Sequence, residues 1–412
     1  MLHKGLILAL FVFASVRTAC ASEQDAIRIS LNIQQLHMPY GTIIDPIFGS
    51  TDPTSPDYST IVGYTRAGDS AVWTGHYLAA EAFRYQATRA PEALENAWRA
   101  VRGIRSLLDV TGNNVLARCL LPADSIYAAG IQKEEGRHGI YYNMLEGQRY
   151  FWIGNTSRDQ YSGVMFGLSA AYEMIDDPNM RSFIRADVTR ILDYLLSHGW
   201  NVQMPDGRIS TTFLIRPDQQ LSFLQVGRQI NPESFDFTYK IYRTFYAASV
   251  ILPILVDDID DHEHYFKFNV NYINLYSLVR LEENGSAAKT LYMKAYDELR
   301  RTTELHTNAH FNMLDRVLRG ANSGRDAETA SMLVAWLQRT TRDLWLDERA
   351  VYAVCGDNRS CSPVPITDRI NTDFLWQRSP FLLFGGGSGT IETSGIDYIL
   401  PYWMARQFAI VQ

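Results

Sequence analysis

The sequence predicts an all-α fold, a two-layer helical toroid with an inner and an outer ring. Three observations lead there. Residues 69–85 and 158–172 form helical segments that are apolar almost all the way round, and such a helix must be covered on every face. Each is followed by a segment with a single apolar stripe. Pairs of this kind recur along the rest of the chain, the pattern of stacked helical hairpins.

The elements follow in order. His3 and Lys4 precede an apolar run, Gly5 to Ala14, and Ala19-Cys20-Ala21 is a small-x-small cleavage site. Residues 1–21 are therefore expected to be a removable export signal, with the mature chain starting at Ser22. Thr18-Ala19-Cys20 is half of a lipidation box, but Arg17 stands where an aliphatic residue belongs. Soluble export, periplasmic or secreted, is favoured over a lipoprotein anchored at Cys20. Residues 22–65 lack periodicity, carry Asp45-Pro, Asp52-Pro and Ser55-Pro, and read as an extended arm on the body. Residues 66–412 then form one domain.

Its first hairpin pairs 69–87 with a helix started by Pro91, whose stripe is Leu94, Ala97, Trp98, Val101 and Leu108 and which ends at Gly112. Residues 113–157 are an insertion. Two β-like runs, Ile140–Met144 and Arg149–Ile153, meet at Glu146-Gly147 and predict a β-hairpin leading into Asp159. The second hairpin pairs 159–175 with 180–198, on the stripe Ile184, Val188, Ile191, Leu192 and Leu195. Further helices are expected at 217–229, 234–255, 264–283, 286–302, 304–319, 325–346 and 395–410. Irregular hairpin lengths favour a closed toroid over an open solenoid, which keeps a fixed period.

The net charge is −7, without a basic run, which argues against nucleic acid as partner. No apolar stretch is long enough to span a membrane. Cys355 and Cys361 flank a turn-rich stretch and are expected to form a local disulfide in an oxidising compartment, leaving Cys119 as a small buried residue. No metal or cofactor is expected. His306 and His310 are spaced i, i+4, but Thr307 stands where HExxH has its glutamate. The acidic run from Asp257 to His264 lacks EF-hand spacing. Gly385–Gly389 has no Lys-Ser/Thr ending for a phosphate loop, and reads as a flexible loop near the mouth.

Asp69 and Asp159 are the catalytic candidates. Glycoside hydrolysis needs one carboxyl to protonate the leaving oxygen and a second carboxylate to attack or to activate water. The bland alternative is that both simply cap their helices, a role Asp favours. Asp69, Trp73, His76 and Tyr77 share one helical face, as a sugar subsite or as a polar seam. Arg158 could bind a uronate carboxylate through its guanidinium fork or form a structural ion pair. Tyr161 follows it, and Trp403 with Tyr398 and Tyr402 opens the last helix. Glu134, Glu135, Arg137, His138 and Glu146 of the insertion are further sources of an acid, with solvated surface charge as the default for 133–138 and a turn role for Glu146 at the hairpin tip.

The stretches Asp69-Ser-Ala-Val-Trp-Thr-Gly-His and Ser157-Arg-Asp-Gln-Tyr-Ser-Gly resemble the (α/α)6-toroid carbohydrate-active proteins, loosely the unsaturated glucuronyl hydrolases. At the level of helix pattern the likeness covers most of residues 65–410; the long aromatic-His-Asp signature of that family is not evident. The resemblance implies an (α/α)6-type toroid with a small β-hairpin insertion and an exported enzyme acting on an oligosaccharide or uronic-acid glycan. Its site would hold Asp69 and Asp159, with Trp73, His76, Tyr77, Arg158, Tyr161 and Trp403 around the sugar. A polysaccharide lyase, with Tyr or His as base, and a toroid that only binds glycan or a partner remain as alternatives.

Overall fold

Six helices carry long unbroken runs of buried side chains, and their packing orders the rest. The computed structural model describes residues 20–49, 60–259, 264–353 and 362–412. The chain opens with α1 (Glu23–Asn32), which runs on into a wider π-type turn, Ile33–His37. A hairpin of β1 (Asp45–Phe48) and β2 (Ile61–Thr65) follows. Next come α2 (Ser70–Thr88), α3 (Pro91–Asp109), β3 (Cys119–Pro122), α4 (Ala128–Glu135), and the hairpin β4 (Ile140–Leu145) and β5 (Gln148–Ile153). Beyond these lie α5 (Arg158–Met174), α6 (Pro178–Ser197), the short pair β6 (Asn201–Gln203) and β7 (Ile209–Thr212), α7 (Pro217–Ile230), α8 (Pro232–Tyr246) and α9 (Ile251–Asp257). The rest is α10 (Phe266–Leu281), α11 (Ala287–Thr303), α12 (Ala309–Arg319), α13 (Ser323–Trp336), β8 (Arg342–Asp347), β9 (Phe384–Glu392) and α14 (Ile396–Gln407).

The fully covered helices are α2, α5, α7, α10, α12 and α14. In α2 every residue from Ser70 to Arg84 is buried, and in α5 every residue from Gln160 to Ala171. Each packs on the next in that order, and α14 packs back on α2. The one-sided helices lie against them: α3 on α2, α6 on α5 and α7, α8 on α7, α11 on α10, α13 on α12 and α14, and α1 on α14. The expected stripe of α3 is buried at Ala97, Val101 and Leu108 and half-buried at Leu94 and Trp98, and that of α6 is buried throughout, at Ile184, Val188, Ile191, Leu192 and Leu195.

The contact of α2 with α5 is the most intimate of these. A Cβ on Gly75 would fall 2.0 Å from the carbonyl oxygen of Gly163, and one on Gly167 would fall 2.2 Å from that of Gly75. One on Gly163 would lie 2.6 Å from the carbonyl oxygen of Val72. Only glycine lets two helix backbones come this near, since interaxial distance is set by the side chains at the crossing. Val72 meets Gly163 and Gly75 meets Gly167, so the two helices run in the same direction and their N-termini lie at one end.

Several expectations need correction. The N-terminal arm is not extended throughout. Ser22 caps α1 by accepting from the Asp25 amide at 3.2 Å, and Ala26, Ile29, Ser30 and Ile33 form a buried stripe at helical spacing; the prolines act only beyond it. His37 fixes its end, buried between Asp45 and Glu392 at 3.3 Å from each. The segment 234–255 breaks into α8 and α9. The segment 325–346 ends as a helix at Trp336 and continues as β8. Gly385–Gly389 is not a loop: it lies in β9, the partner of both β8 and β1 in a sheet of order β2-β1-β9-β8. Gly386 and Gly387 are needed there because Leu344 and Asp343 crowd the positions of their missing side chains.

The predicted hairpin is present, with β4 and β5 paired from Ile140–Ile153 to Leu145–Gln148. Glu146 and Gly147 both take positive φ, 50° and 83°, the turn that fits a two-residue hairpin loop. Cys119 is buried and unpaired. Cys355, Cys361 and residues 1–19 lie outside the described residues. No helix among the described residues is long and apolar enough to cross a membrane.

If the glycine contact sets the fold, Gly75→Ala should cost about 3 kcal/mol or more in urea unfolding, the upper range for overpacking. Gly130→Ala on α4, where a Cβ meets nothing within 4 Å, should leave stability unchanged or raise it by about 0.5–1 kcal/mol. Equal behaviour of the two variants would refute this.

Candidate functional site

Because α2 and α5 are parallel and nearly touching, the residues that open them are forced together. Gln160 bridges the two openings. Its side-chain oxygen accepts from the Val72 amide at 3.0 Å. Its nitrogen donates to Asp69 at 3.0 Å and to Asp159 at 3.4 Å. Two carboxylate oxygens that both reach one amide nitrogen lie within two hydrogen-bond lengths of each other.

Neither aspartate caps its helix. Asp69 stands at the N-cap position of α2, but its side chain makes no capping hydrogen bond. Asp159 lies in the first turn of α5, where Ser157 holds the N-cap position. The bland explanation therefore does not account for either residue.

Asp69 keeps a third of its side-chain exposure, 34%, and Arg118 approaches it at 3.6 Å. Burial of the carboxyl, then the charges of Asp159 and Asp373, push its pKa up to about 7, against the opposing pull of Arg118. Asp373 arrives from the loop before β9 and is itself held above the ordinary carboxylate value by burial. Near neutrality this group of carboxyls binds a proton that an isolated aspartate would release.

The insertion sets the position of Asp69. Arg118 donates to the carbonyl oxygens of Gly68 and Asn155 at 2.7 and 3.0 Å and to the Ser157 hydroxyl at 2.7 Å, tying the starts of both helices. Glu135 accepts from the Gly68 amide at 2.8 Å and pairs with His138 at 2.7 Å. Glu134 accepts from Thr65 and from the Arg66 amide. Glu135 is thus a buried anchor of the turn before α2 rather than solvated surface charge, whereas Glu134, which also bonds that turn, and Arg137 stay exposed as expected. Glu146 is a turn residue.

Asp159 and Arg158 line a cavity of about 470 Å³, walled also by Arg216 and Gln219 of the α7 start and by Lys267 and Asn271 of α10. Three helix N-termini thus face one space, an arrangement that favours negative charge. Arg216 is fully engaged: both Asp218 oxygens at 3.0 and 2.7 Å, Asp257 at 3.1 Å and Asn271 at 2.7 Å. Arg158 is different. It donates to the Thr212 carbonyl at 3.2 Å and has no carboxylate in ion-pair range among the described residues. Asp159 likewise has no cationic partner within that range among them. Among the described residues the structural ion pair considered for Arg158 is not formed; Asp260, Asp261 and Glu263 lie outside them.

The aromatic candidates are placed elsewhere. Trp73, 5% exposed, packs edge-on against Phe374 with ring centres 4.7 Å apart. Below it His76 stacks on Trp376 at 5.2 Å, with His310 and Phe166 alongside. His76 donates through Nδ1 to the Val72 carbonyl at 2.8 Å and meets Asn269 through Nε2 at 3.1 Å. Burial lowers its pKa to about 4; it is a satisfied core histidine. Tyr77 points the other way, accepting from Gln34 at 2.7 Å and so joining α2 to the α1 arm. Tyr161 accepts from the Leu116 amide at 3.1 Å. Trp403 is fully buried against Tyr402. None of Tyr77, Tyr161, Trp403 and His76 has surface left for a ligand, so their reading as sugar contacts is corrected. An apolar helix covered on every face has no wet side to offer them.

No group of His, Cys, Asp and Glu suited to a metal occurs among the described residues. Comparison with family models, with curated proteins and with solved structures finds no match.

The raised pKa of Asp69 has a stability consequence. Its folded-state value, about 7, exceeds its ordinary 3.8, so its contribution is fully present below 3.8 and is lost as pH rises through about 7. Above pH 7 the ionised carboxylate opposes folding. Asp69→Asn should therefore melt at a higher temperature than the wild type at pH 8, and the gain should vanish by pH 4. A lower melting temperature at pH 8 would contradict the assignment.

Proposed function

We propose that this chain is an exported glycoside hydrolase built as a closed (α/α)6-type toroid, acting on a glycan that carries a uronic acid. The cyclic packing order of the six covered helices, each with a one-sided partner, supports the toroid. The observation that carries the function is the Asp69–Asp159 pair, two carboxyls sharing one amide donor, neither of them a cap, one holding its proton near neutrality.

In this reading Asp69 is the acid. Its proton passes to the glycosidic oxygen as the bond to the anomeric carbon breaks. Asp159, beside Arg158, lines the cavity and supplies the electron pair. Carboxyls about 5–5.5 Å apart go with direct attack and a covalent glycosyl intermediate, and separations of about 6.5–9.5 Å with an activated water. The shared Gln160 donor favours the shorter case, with Asp159 as nucleophile and Asp69 then serving as base toward the incoming water. Arg158, which has no ion-pair partner among the described residues, pairs with the sugar carboxylate. Elimination would need a tyrosine or histidine beside the sugar; His76 and Tyr161 are buried, while His264 lines the cavity, so the support for hydrolysis is the carboxyl pair itself. Simple glycan binding gives no reason for a carboxyl held protonated near pH 7.

Export follows from the N-terminal pattern. Cleavage after Ala21 would leave Ser22, the cap of α1, as the first residue, so processing and the start of the fold would coincide.

With an aryl glucuronide as substrate, Asp159→Asn should lower kcat by roughly 10²–10⁴-fold while circular dichroism and melting stay close to wild type, because no cap is lost. Wild-type kcat should fall as pH rises above about 7, where Asp69 gives up its proton. Full activity in Asp159→Asn would move the nucleophile elsewhere.

A further inference from the structure

We infer that the molecule turned over at Asp159 is an amphiphile, a sugar head joined to an alkyl or acyl tail, and that the tail lies in the apolar groove beside Arg158. The head rests on the glycosidase reading above; the tail rests on the groove alone.

A second cavity, about 580 Å³, opens next to the one that holds Asp159. Arg158, Arg216, Val256 and Asp257 line both, so one molecule can occupy the two together. The outer wall is aliphatic. Leu214 and Ile215 come from the turn before α7, and Leu252 and Val256 stand one turn apart on α9 and so face the same way. These four are 60%, 73%, 58% and 66% exposed. Single exposed aliphatics are ordinary, but a group of them around one concavity marks a place where apolar surface is meant to be covered. The size falls within the range of about 300–1,000 Å³ usual for ligand sites.

Charge decides what covers it. Arg216 is neutralised by Asp218 and Asp257, whereas Arg158, at the junction of the two spaces, has no carboxylate in ion-pair range among the described residues. A wholly polar glycan would leave the aliphatic wall in water. A wholly apolar ligand would leave Arg158 and Asp159 unsatisfied. A polar, anionic head followed directly by an apolar chain satisfies both cavities in the order in which they adjoin.

The test uses the full exported chain and two ligands, methyl glucuronide and octyl glucuronide, the latter kept below its micelle concentration, with binding read by calorimetry and turnover read separately. The octyl compound should bind at least about tenfold tighter, since each buried methylene contributes appreciably. Leu252→Ser and Ile215→Ser, uncharged changes at exposed positions, should each remove much of that gain and leave methyl glucuronide binding unchanged. Equal affinity for the two ligands, or a gain that survives in both variants, overturns the inference. So does adsorption to phosphatidylcholine vesicles, or a dimer dissolved by Leu252→Ser, without any chain-length effect, because the wall would then serve a membrane or a second copy. A chain-length gain without turnover of either ligand supports the groove and overturns the glycosidase reading. Turnover of both without the gain overturns the groove and keeps the glycosidase.

Discussion

The close approach of α2 and α5 is the constraint on which the rest depends. Gly75, Gly163 and Gly167 remove the side chains that would hold the backbones apart, and the helices settle in parallel with their first turns level. Once that is fixed, Asp69 and Asp159 have no choice but to adjoin, and Gln160 fills the space between them. Below this level the same helices supply Trp73, His76 and Phe166 to an aromatic plug completed by Trp376 and His310. The interior between the covered helices is therefore filled, and polar chemistry is confined to the end where the helices begin.

At that end charge is distributed unevenly. Arg216, Asp218 and Asp257 satisfy one another, as do Glu135 and His138. Asp69, Asp159 and Arg158 are left with far less compensation. Folding alone gives no reason to keep like carboxylates together, because their repulsion opposes the folded state. Sites of this kind persist where the strained electrostatics serve a reaction or a ligand. The insertion of residues 113–157 fits this account, since Arg118 and Glu135 spend their hydrogen bonds on the turn before α2 and not on each other.

Much of this was legible in the sequence because burial leaves a periodic trace. The all-round apolarity of 69–85 and 158–172, the stripes of their partners and the Glu146-Gly147 turn are local patterns, and each has a local cause. Gly163 and Gly167, four apart on an apolar helix, carried a signal for the close contact that was open to reading. What stayed hidden depends on the third dimension. Spacing puts Asp69, Trp73, His76 and Tyr77 on one face, but a face covered on all sides cannot say which end of it meets solvent. Asp373 and Arg118 come from a loop and a strand edge with no motif around them. The strand β9 was masked by its glycines, which normally weaken strands and here are required by the crowding of Asp343 and Leu344. The helix α1 was obscured by prolines that act only further along the arm.

The central claim is that Asp69, held close to Asp159 at the start of α2 and α5, keeps its proton near neutrality. The most direct measurement is a carbon-13 nuclear magnetic resonance titration of the Asp69 carboxyl in the wild type and in Asp159→Asn. The account predicts a midpoint near 7 in the wild type and a lower one in the variant, where the neighbouring charge is gone. A wild-type midpoint near the ordinary 3.8 would contradict it.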